Sequence, residues 1–239
     1  MGYFNNFPKV DYDIKGNGIT QEVTNITSYV KVSSKMLDSI AFYSFYIIPD
    51  DDRPDNVSYN LYGTDAYYWT FFVVNPHLKN TYYDWPQSIK SLQSHTEGKY
   101  SGLGAVVDGD VHGKYFLGEY IVGSISGAIG QVIGIYPTTE WVQIKEVSGT
   151  FLSSGEGLKG ITGEAVIIAK SIKSAALAPR HFLDLSTGLV TDKRTAGVKP
   201  VSFFEWEQAQ NLVKTKIRII KPEFIEEVSD RFIAELKLT

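Results

Sequence analysis

Two residue types are sorted along this 239-residue chain, and the sorting divides it into regions that must pack by different rules. Residues 1–100 hold 20 of the 32 aromatic side chains, whereas residues 98–163 hold 15 of the 21 glycines. An aromatic-rich stretch needs a large apolar interior or a partner to cover it. A glycine-rich stretch points to tight turns, because glycine adopts the positive φ angles that other residues avoid. Charge divides at the same border: residues 1–98 carry 11 acidic and 7 basic residues, and the remainder is balanced. With 43% apolar residues the chain can build real cores, which argues against wholesale disorder.

The first region mixes strand and helix signals. Ala41 to Ile48 is aromatic and bounded by Pro49 and the run Asp50-Asp51-Asp52, which predicts a strand. A helix comes next, with Asp52 as N-cap, Pro54 at its first position and Gly63 at its end. Thr64 caps a second helix with the apolar stripe Ala66, Trp69, Phe72 and Val73, stopped by Asn75-Pro76. Trp85-Pro86 opens a third short helix that buries Trp85, Ile89 and Leu92.

The second region changes period. Glu119–Gly127, Gly130–Ile135, Trp141–Val147, Phe151-Leu152 and Ala165–Ala169 read as short strands between glycine turns, which predicts a small antiparallel barrel or sandwich. Beyond it, residues 178–200 lack periodicity and read as a linker wrapping over other elements. Ser202-Phe203-Phe204-Glu205 matches a capping box, and Phe203, Trp206, Ala209, Val213 and Ile217 form the stripe of the helix it starts. After Lys221-Pro222, the residues Phe224, Val228, Phe232 and Leu236 recur every four positions, with Ile225 and Ile233 widening the stripe of a docking helix.

Chemistry is hard to place on these elements. The absence of cysteine excludes disulfides, iron–sulfur clusters and thiolate zinc sites. Gly155-Glu156-Gly157-Leu158-Lys159-Gly160 spells a dinucleotide fingerprint, but Ile161 to Ile168 read as turn and strand, not the helix whose N-terminus would hold a pyrophosphate. Gly113-Lys114 lacks the spacing and the hydroxyl of a P-loop. His77, His95, His112 and His181 show no metal-ligand spacing. Asp50 to Asp52 read as a solvated run, and nothing singles out Glu119, Glu156 or Glu164 as a raised-pKa acid. The expectation is a non-enzyme without catalytic, cofactor or metal residues. A net charge of -4 argues against a broad nucleic-acid footprint, and no run of 18 apolar residues exists to cross a membrane. The N-terminal stretch lacks a secretory pattern, so a cytoplasmic place of folding is expected.

What remains is aromatic density. Ten aromatics crowd residues 59–85, and a single helix would point them around its whole circumference. Part of this set is therefore expected at a shared protein–protein interface, the competing reading being a core with tyrosine hydroxyls at its edge.

Arg53-Pro54-Asp55, Leu61-Tyr62-Gly63-Thr64-Asp65, Tyr68-Trp69, Val74-Asn75 and Tyr83-Asp84-Trp85-Pro86 resemble the baseplate wedge protein 53 family of contractile-tailed bacteriophages. The same stretch is similar to a LysM-type module, a βααβ unit. The resemblance extends to Phe7–Tyr12 and to Ser202–Glu207 with Arg218–Pro222. It implies an α+β fold: a LysM-like helix pair with flanking strands, an inserted small antiparallel β module and C-terminal docking helices. The expected division is residues 1–99 (LysM-like part about 41–95), the β module at 100–178, and a linker with helices at 179–239. The resemblance implies a structural virion subunit of the tail baseplate, assembled in the host cytoplasm, that joins neighbouring wedges into a ring in multiple copies. Its implied partners are other wedge subunits, a lysozyme-like wedge protein among them, and the central hub, with no cofactor, nucleic acid or membrane. The candidate interface residues are Arg53, Tyr62, Tyr67, Tyr68, Trp69, Tyr82, Tyr83, Trp85 and Trp206. The alternative is a LysM-type module that binds peptidoglycan through N-acetylglucosamine. A cell-wall hydrolase fits least, for want of paired carboxylates.

Overall fold

The computed structural model describes residues 7–27, 41–80, 83–162, 166–191 and 197–236. The fold is α+β. It forms two compact units: residues 1–88 with 211–239, and residues 89–210.

The first unit begins with an antiparallel hairpin, β1 (Lys9–Tyr12) with β2 (Gln21–Thr24). Strand β3 (Tyr43–Ile47) leads to α1 (Pro54–Tyr62), where Pro54 takes the first turn as its lost N–H costs nothing there. Arg53, not Asp52, occupies the N-cap, with no side-chain capping bond. Asp52 is used differently: its carbonyl accepts the Trp85 indole N–H at 2.8 Å. Gly63 ends α1 in the left-handed conformation, φ 74°, as its position predicts. The Thr64 hydroxyl accepts the Ala66 N–H at 3.3 Å and starts a 3-10 turn (Asp65–Tyr67), before α2 (Thr70–Val74) runs into Asn75.

The C-terminal part of this unit departs from its sequence pattern. The helix whose stripe was to include Ile217 stops at Thr215, and Ile217 is buried in strand β13 (Lys216–Ile220), antiparallel to β3. Alternation of Lys216 and Arg218 with Ile217 and Ile219 suits a half-buried strand, and pairing with β3 decides for it. Helix α5 (Ile225–Leu236) comes after a 3-10 turn, with Ile225, Ser229 and Leu236 buried. The core joins Ile48, Val57, Phe71, Leu78, Trp85, Ile217 and Ile219, flanked by a cluster of Val74, Ile220 and Ile225.

The second unit opens with α3 (Ile89–Lys99). It starts four residues after Trp85, and Ile89 is exposed, which corrects the expected Trp85–Ile89–Leu92 stripe; Leu92 is buried. Next comes a closed barrel of β4 (Leu103–Val107), β5 (Tyr120–Gly123), β6 (Ile129–Tyr136), β7 (Trp141–Ser148), β8 (Gly157–Gly160) and β9 (Val166–Ser174), in the order β4-β7-β6-β5-β8-β9. Of the two expected forms, barrel and sandwich, the barrel is realised. Closure leaves no edge unpaired. Phe151-Leu152, expected as strand, lies outside the ladders, and Ala165 lies outside the described residues. Glycine has a packing role here: a Cβ on Gly130 would collide with Ile144 and come within 3.1 Å of Phe151.

The stretch expected to be a linker is a second sheet, ordered β11-β10-β12, from β10 (Pro179–Asp184), β11 (Val190–Thr191) and β12 (Val198–Ser202). Its strands lack strict alternation, so periodicity does not reveal them. Helix α4 (Phe203–Thr215) then starts at the expected capping box. The Ser202 hydroxyl accepts the Glu205 N–H at 3.1 Å, and the Glu205 carboxylate accepts the Ser202 N–H at 2.8 Å. No residue of α4 is buried; Val213, expected on its apolar stripe, is exposed.

Candidate interface

The aromatic crowd between residues 59 and 85 is spread over α1, a 3-10 turn, α2 and the loop after it, so its members face different surroundings. Phe71, Trp69 and Trp85 are buried. Trp69 packs on Phe232 of α5, ring centroids 4.7 Å apart, and Trp85 lies 6.1 Å from Phe71 and 5.8 Å from Phe72. Tyr62, Tyr67 and Tyr68 are half-buried at the core's edge. Tyr62 stacks on Phe71, meets Tyr67 edge-on, and donates its hydroxyl to the Ile220 carbonyl at 2.8 Å. Burial pushes the Tyr62 phenol well above its ordinary pKa, and burial with the charges of Glu226 and Asp230 raises Tyr67.

Two candidates stand at the surface. Tyr83 is 67% exposed, and Arg53 is exposed with its guanidinium 3.2 Å from Asp55. Tyr82 lies outside the described residues. Trp206 belongs to the other unit, half-buried, with the Arg180 guanidinium 4.2 Å over its ring. The structure therefore puts Trp85 in one core cluster with Tyr62 and Tyr68 against it, sets Tyr67 against the neighbouring cluster, buries Trp69 against Phe232, leaves Arg53 and Tyr83 outward, and puts Trp206 in a separate unit.

Backbone hydrogen bonding explains the order around these rings. Asn75 is buried, and its amide donates at 2.8 Å to the carbonyls of Phe71 and Arg218 and accepts the Arg218 N–H at 2.8 Å. It ties the end of α2 to β13, a role its sequence position as a helix stop did not disclose. The Asp84 carboxylate accepts the N–H groups of Lys79 and Asn80, which hold its carboxyl below its ordinary pKa against desolvation and fold the loop leading to Trp85.

The motifs that could have carried chemistry are absorbed by structure. Gly157 to Gly160, read from sequence as a β-turn, is strand β8, and the turn at Ile161-Thr162 with β9 from Val166 agrees with the turn-and-strand reading of Ile161 to Ile168. Glu156 is fully buried just before β8, where its carboxylate accepts the N–H groups of Ile125, Ser126 and Leu152 at 2.8, 3.2 and 3.0 Å. Desolvation works against its ionised form, and these hydrogen bonds outweigh it, leaving the carboxyl below its ordinary pKa. Glu119 accepts from Phe116 and Thr162, each at 2.9 Å; Glu164 lies outside the described residues. Both buried carboxylates bind main-chain N–H groups of turns. His181 is held below its ordinary pKa by burial and by Arg180. Among the described residues no three His, Asp or Glu side chains are placed to hold a metal ion, and no helix is long and apolar enough to cross a membrane.

No curated protein matches the chain. Residues 2–118 match the family model described as base plate wedge protein 53. Those residues are thus similar to a family of phage baseplate wedge proteins, which suggests a structural role in the baseplate.

Proposed function

We propose that this chain, whose residues 2–118 match the base plate wedge protein 53 family, joins neighbouring wedges of a phage tail baseplate into a ring, by protein–protein contacts and without catalysis. The observation that carries the reading is the family match over residues 2–118. The expected neighbours are other wedge subunits, including a lysozyme-like one, and the central hub, with assembly in the host cytoplasm. Of the candidate interface residues, Arg53 and Tyr83 are available for direct contact, because both are exposed on one unit. Tyr67 and Tyr68 are half-buried on the same unit, and Trp69, Trp85 and Tyr62 help to hold its interior. Trp206 is a separate contact on the barrel-bearing unit.

Co-expression with the neighbouring tail proteins, combined with sizing of the complex, tests this reading. Arg53→Ala and Tyr83→Ala should weaken co-assembly with Tm unchanged, each by about 1–2 kcal/mol if they are interface anchors. Trp69→Ala and Trp85→Ala should lower both. Wild-type co-assembly by a folded Arg53→Ala/Tyr83→Ala double variant would remove the patch from the reading, and failure of the wild-type chain to enter any complex would remove the reading itself.

A LysM-like module is the second reading, and one observation favours it: β3, α1 and α2, with β13 returning after residues 89–215 to pair antiparallel with β3, make a βααβ set interrupted by an insertion. Peptidoglycan binding through N-acetylglucosamine would then sit in the loops flanking the helices. Sedimentation with purified peptidoglycan, with and without substitutions between Asn75 and Trp85, discriminates the two.

A further inference from the structure

Two elements of the first unit have uncovered surfaces of opposite character. The hairpin β1–β2 forms a sheet of its own, with every residue of β1 and both Gln21 and Glu22 exposed. Val23 and Thr24 are only half-buried, and a two-stranded hairpin this exposed is marginal in water. Its register adds a conflict: Asp11 stands directly opposite Glu22, a like-charge pair that disfavours the isolated hairpin. Lys9, Asp11, Glu22 and Thr24 share one face, and Val10, Tyr12 and Val23 share the other.

Strand β3 is the counterpart. Among the described residues it pairs with β13 alone, so its second edge is a free row of backbone donors and acceptors. Tyr46 faces the core, and Tyr43, Phe45 and Ile47 face outward, Phe45 and Ile47 exposed by 60% and 69%. Opposite them on β13 stand Lys216 and Arg218, and neither strand carries a carboxylate. Both cations lie over rings of β3: Lys216 is 4.7 Å from the Phe45 centroid and Arg218 is 5.1 Å from that of Tyr43. Each leans diagonally off its own register partner, Ile47 and Phe45 respectively, and so its charge sits over β3.

We infer that the hairpin of one copy adds to the free edge of β3 in a second copy, with the acidic pair Asp11 and Glu22 on the face of Lys216 and Arg218. This orientation puts Val10, Tyr12 and Val23 on the other face of the extended sheet, in line with Tyr46 and Ile48 of the core side. The opposite orientation would set the apolar row against the two cations and leave the acids facing the core side. Main-chain ladder bonds supply the affinity, and the charges select the orientation. The occupant is a second copy because, within one chain, the two elements form separate sheets. The contact is heterologous: each copy donates a hairpin and offers an edge, so repetition leads to a closed ring or a filament.

The test uses the purified full chain without other tail proteins, which separates it from the baseplate reading. Sedimentation velocity should show concentration-dependent association. Amide exchange should slow in residues 9–24 and 43–47 together as association proceeds, a readout that needs no substitution. Lys216→Glu/Arg218→Glu and Asp11→Lys/Glu22→Lys should each weaken association about tenfold or more. Neither variant should grow alone, but mixing the two should restore growth as alternating copies, because the acidic hairpin of one meets the basic edge of the other and the reversed hairpin meets the reversed edge; combining all four changes in one chain should restore growth for the same reason. A chain that stays monomeric at every concentration overturns the inference. So does association unaltered in both variants, or association without slowed exchange in the hairpin and β3.

Discussion

Asn75 replaces a missing strand neighbour for β13 with a single side chain. Its amide makes three hydrogen bonds of 2.8 Å, two of them to the main chain of Arg218, in a site closed to water. Asn75→Ala leaves those backbone groups unpaired, and an unsatisfied buried group costs about 1–3 kcal/mol. The expected loss is therefore about 3 kcal/mol in the first unit, read by denaturant unfolding monitored through Trp69 and Trp85 fluorescence. Glu156 has the same function for the turns at Ile125 and Leu152, with charge added. Its folded pKa lies below its ordinary value of 4.5, so its contribution is complete above the carboxylate range and is lost as pH falls through the folded value. The barrel should lose stability on acidification below about pH 4.5, and Glu156→Gln should flatten that dependence while lowering stability at pH 7, by about 2 kcal/mol. An acid limb unchanged in the variant would assign the effect to other carboxylates. Sequence position marked Asn75 as a helix stop and left Glu156 undistinguished, since burial and backbone partners arise from segments distant in sequence.

Helix starts and stops belong to the element scale, where local chemistry decides. The capping box at Ser202 closes both of its reciprocal bonds, and Ser202→Ala should cost about 1 kcal/mol, measured as a shift in the denaturation midpoint. Rescue by Ser202→Asp would confirm capping as the cause. Helix α5 is a docking element: its Phe232 ring meets Trp69, and Ile225 joins Val74 and Ile220. Phe232→Ala should cost about 1–2 kcal/mol, less than for a fully buried ring, and shift Trp69 emission, because the half-buried Phe232 ring packs on that indole. Both helices were legible because capping and four-residue recurrence are written within a dozen neighbouring residues. Strands β10 to β12 were not, since their pairing partners and weak alternation have no local signal.

At the scale of the molecule, the second unit is continuous in sequence and the first is not. Residues 89–210 lie between the two pieces, 1–88 and 211–239, that build the first unit. Residues 89–215, which keep α4 whole, should fold alone, with native amide dispersion. Residues 1–88 alone should not, lacking β13 and α5, and adding residues 211–239 in trans should recover secondary structure. Folding of 1–88 in isolation would show that the β3–β13 pair is dispensable. The sequence by itself determined the capped helix pair, the glycine-turn β module, the docking helix and the family resemblance, because each rests on spacing among near neighbours. Only the tertiary structure decided that β13 returns to β3, that the β module closes into a barrel, and which aromatics become core. Trp69 and Tyr83 are both aromatic and lie 14 positions apart in the same motif-rich stretch, yet one is buried against Phe232 and the other is exposed. Burial is a property of what covers a side chain, and the covering segments, β13 and α5, come from the far end of the chain.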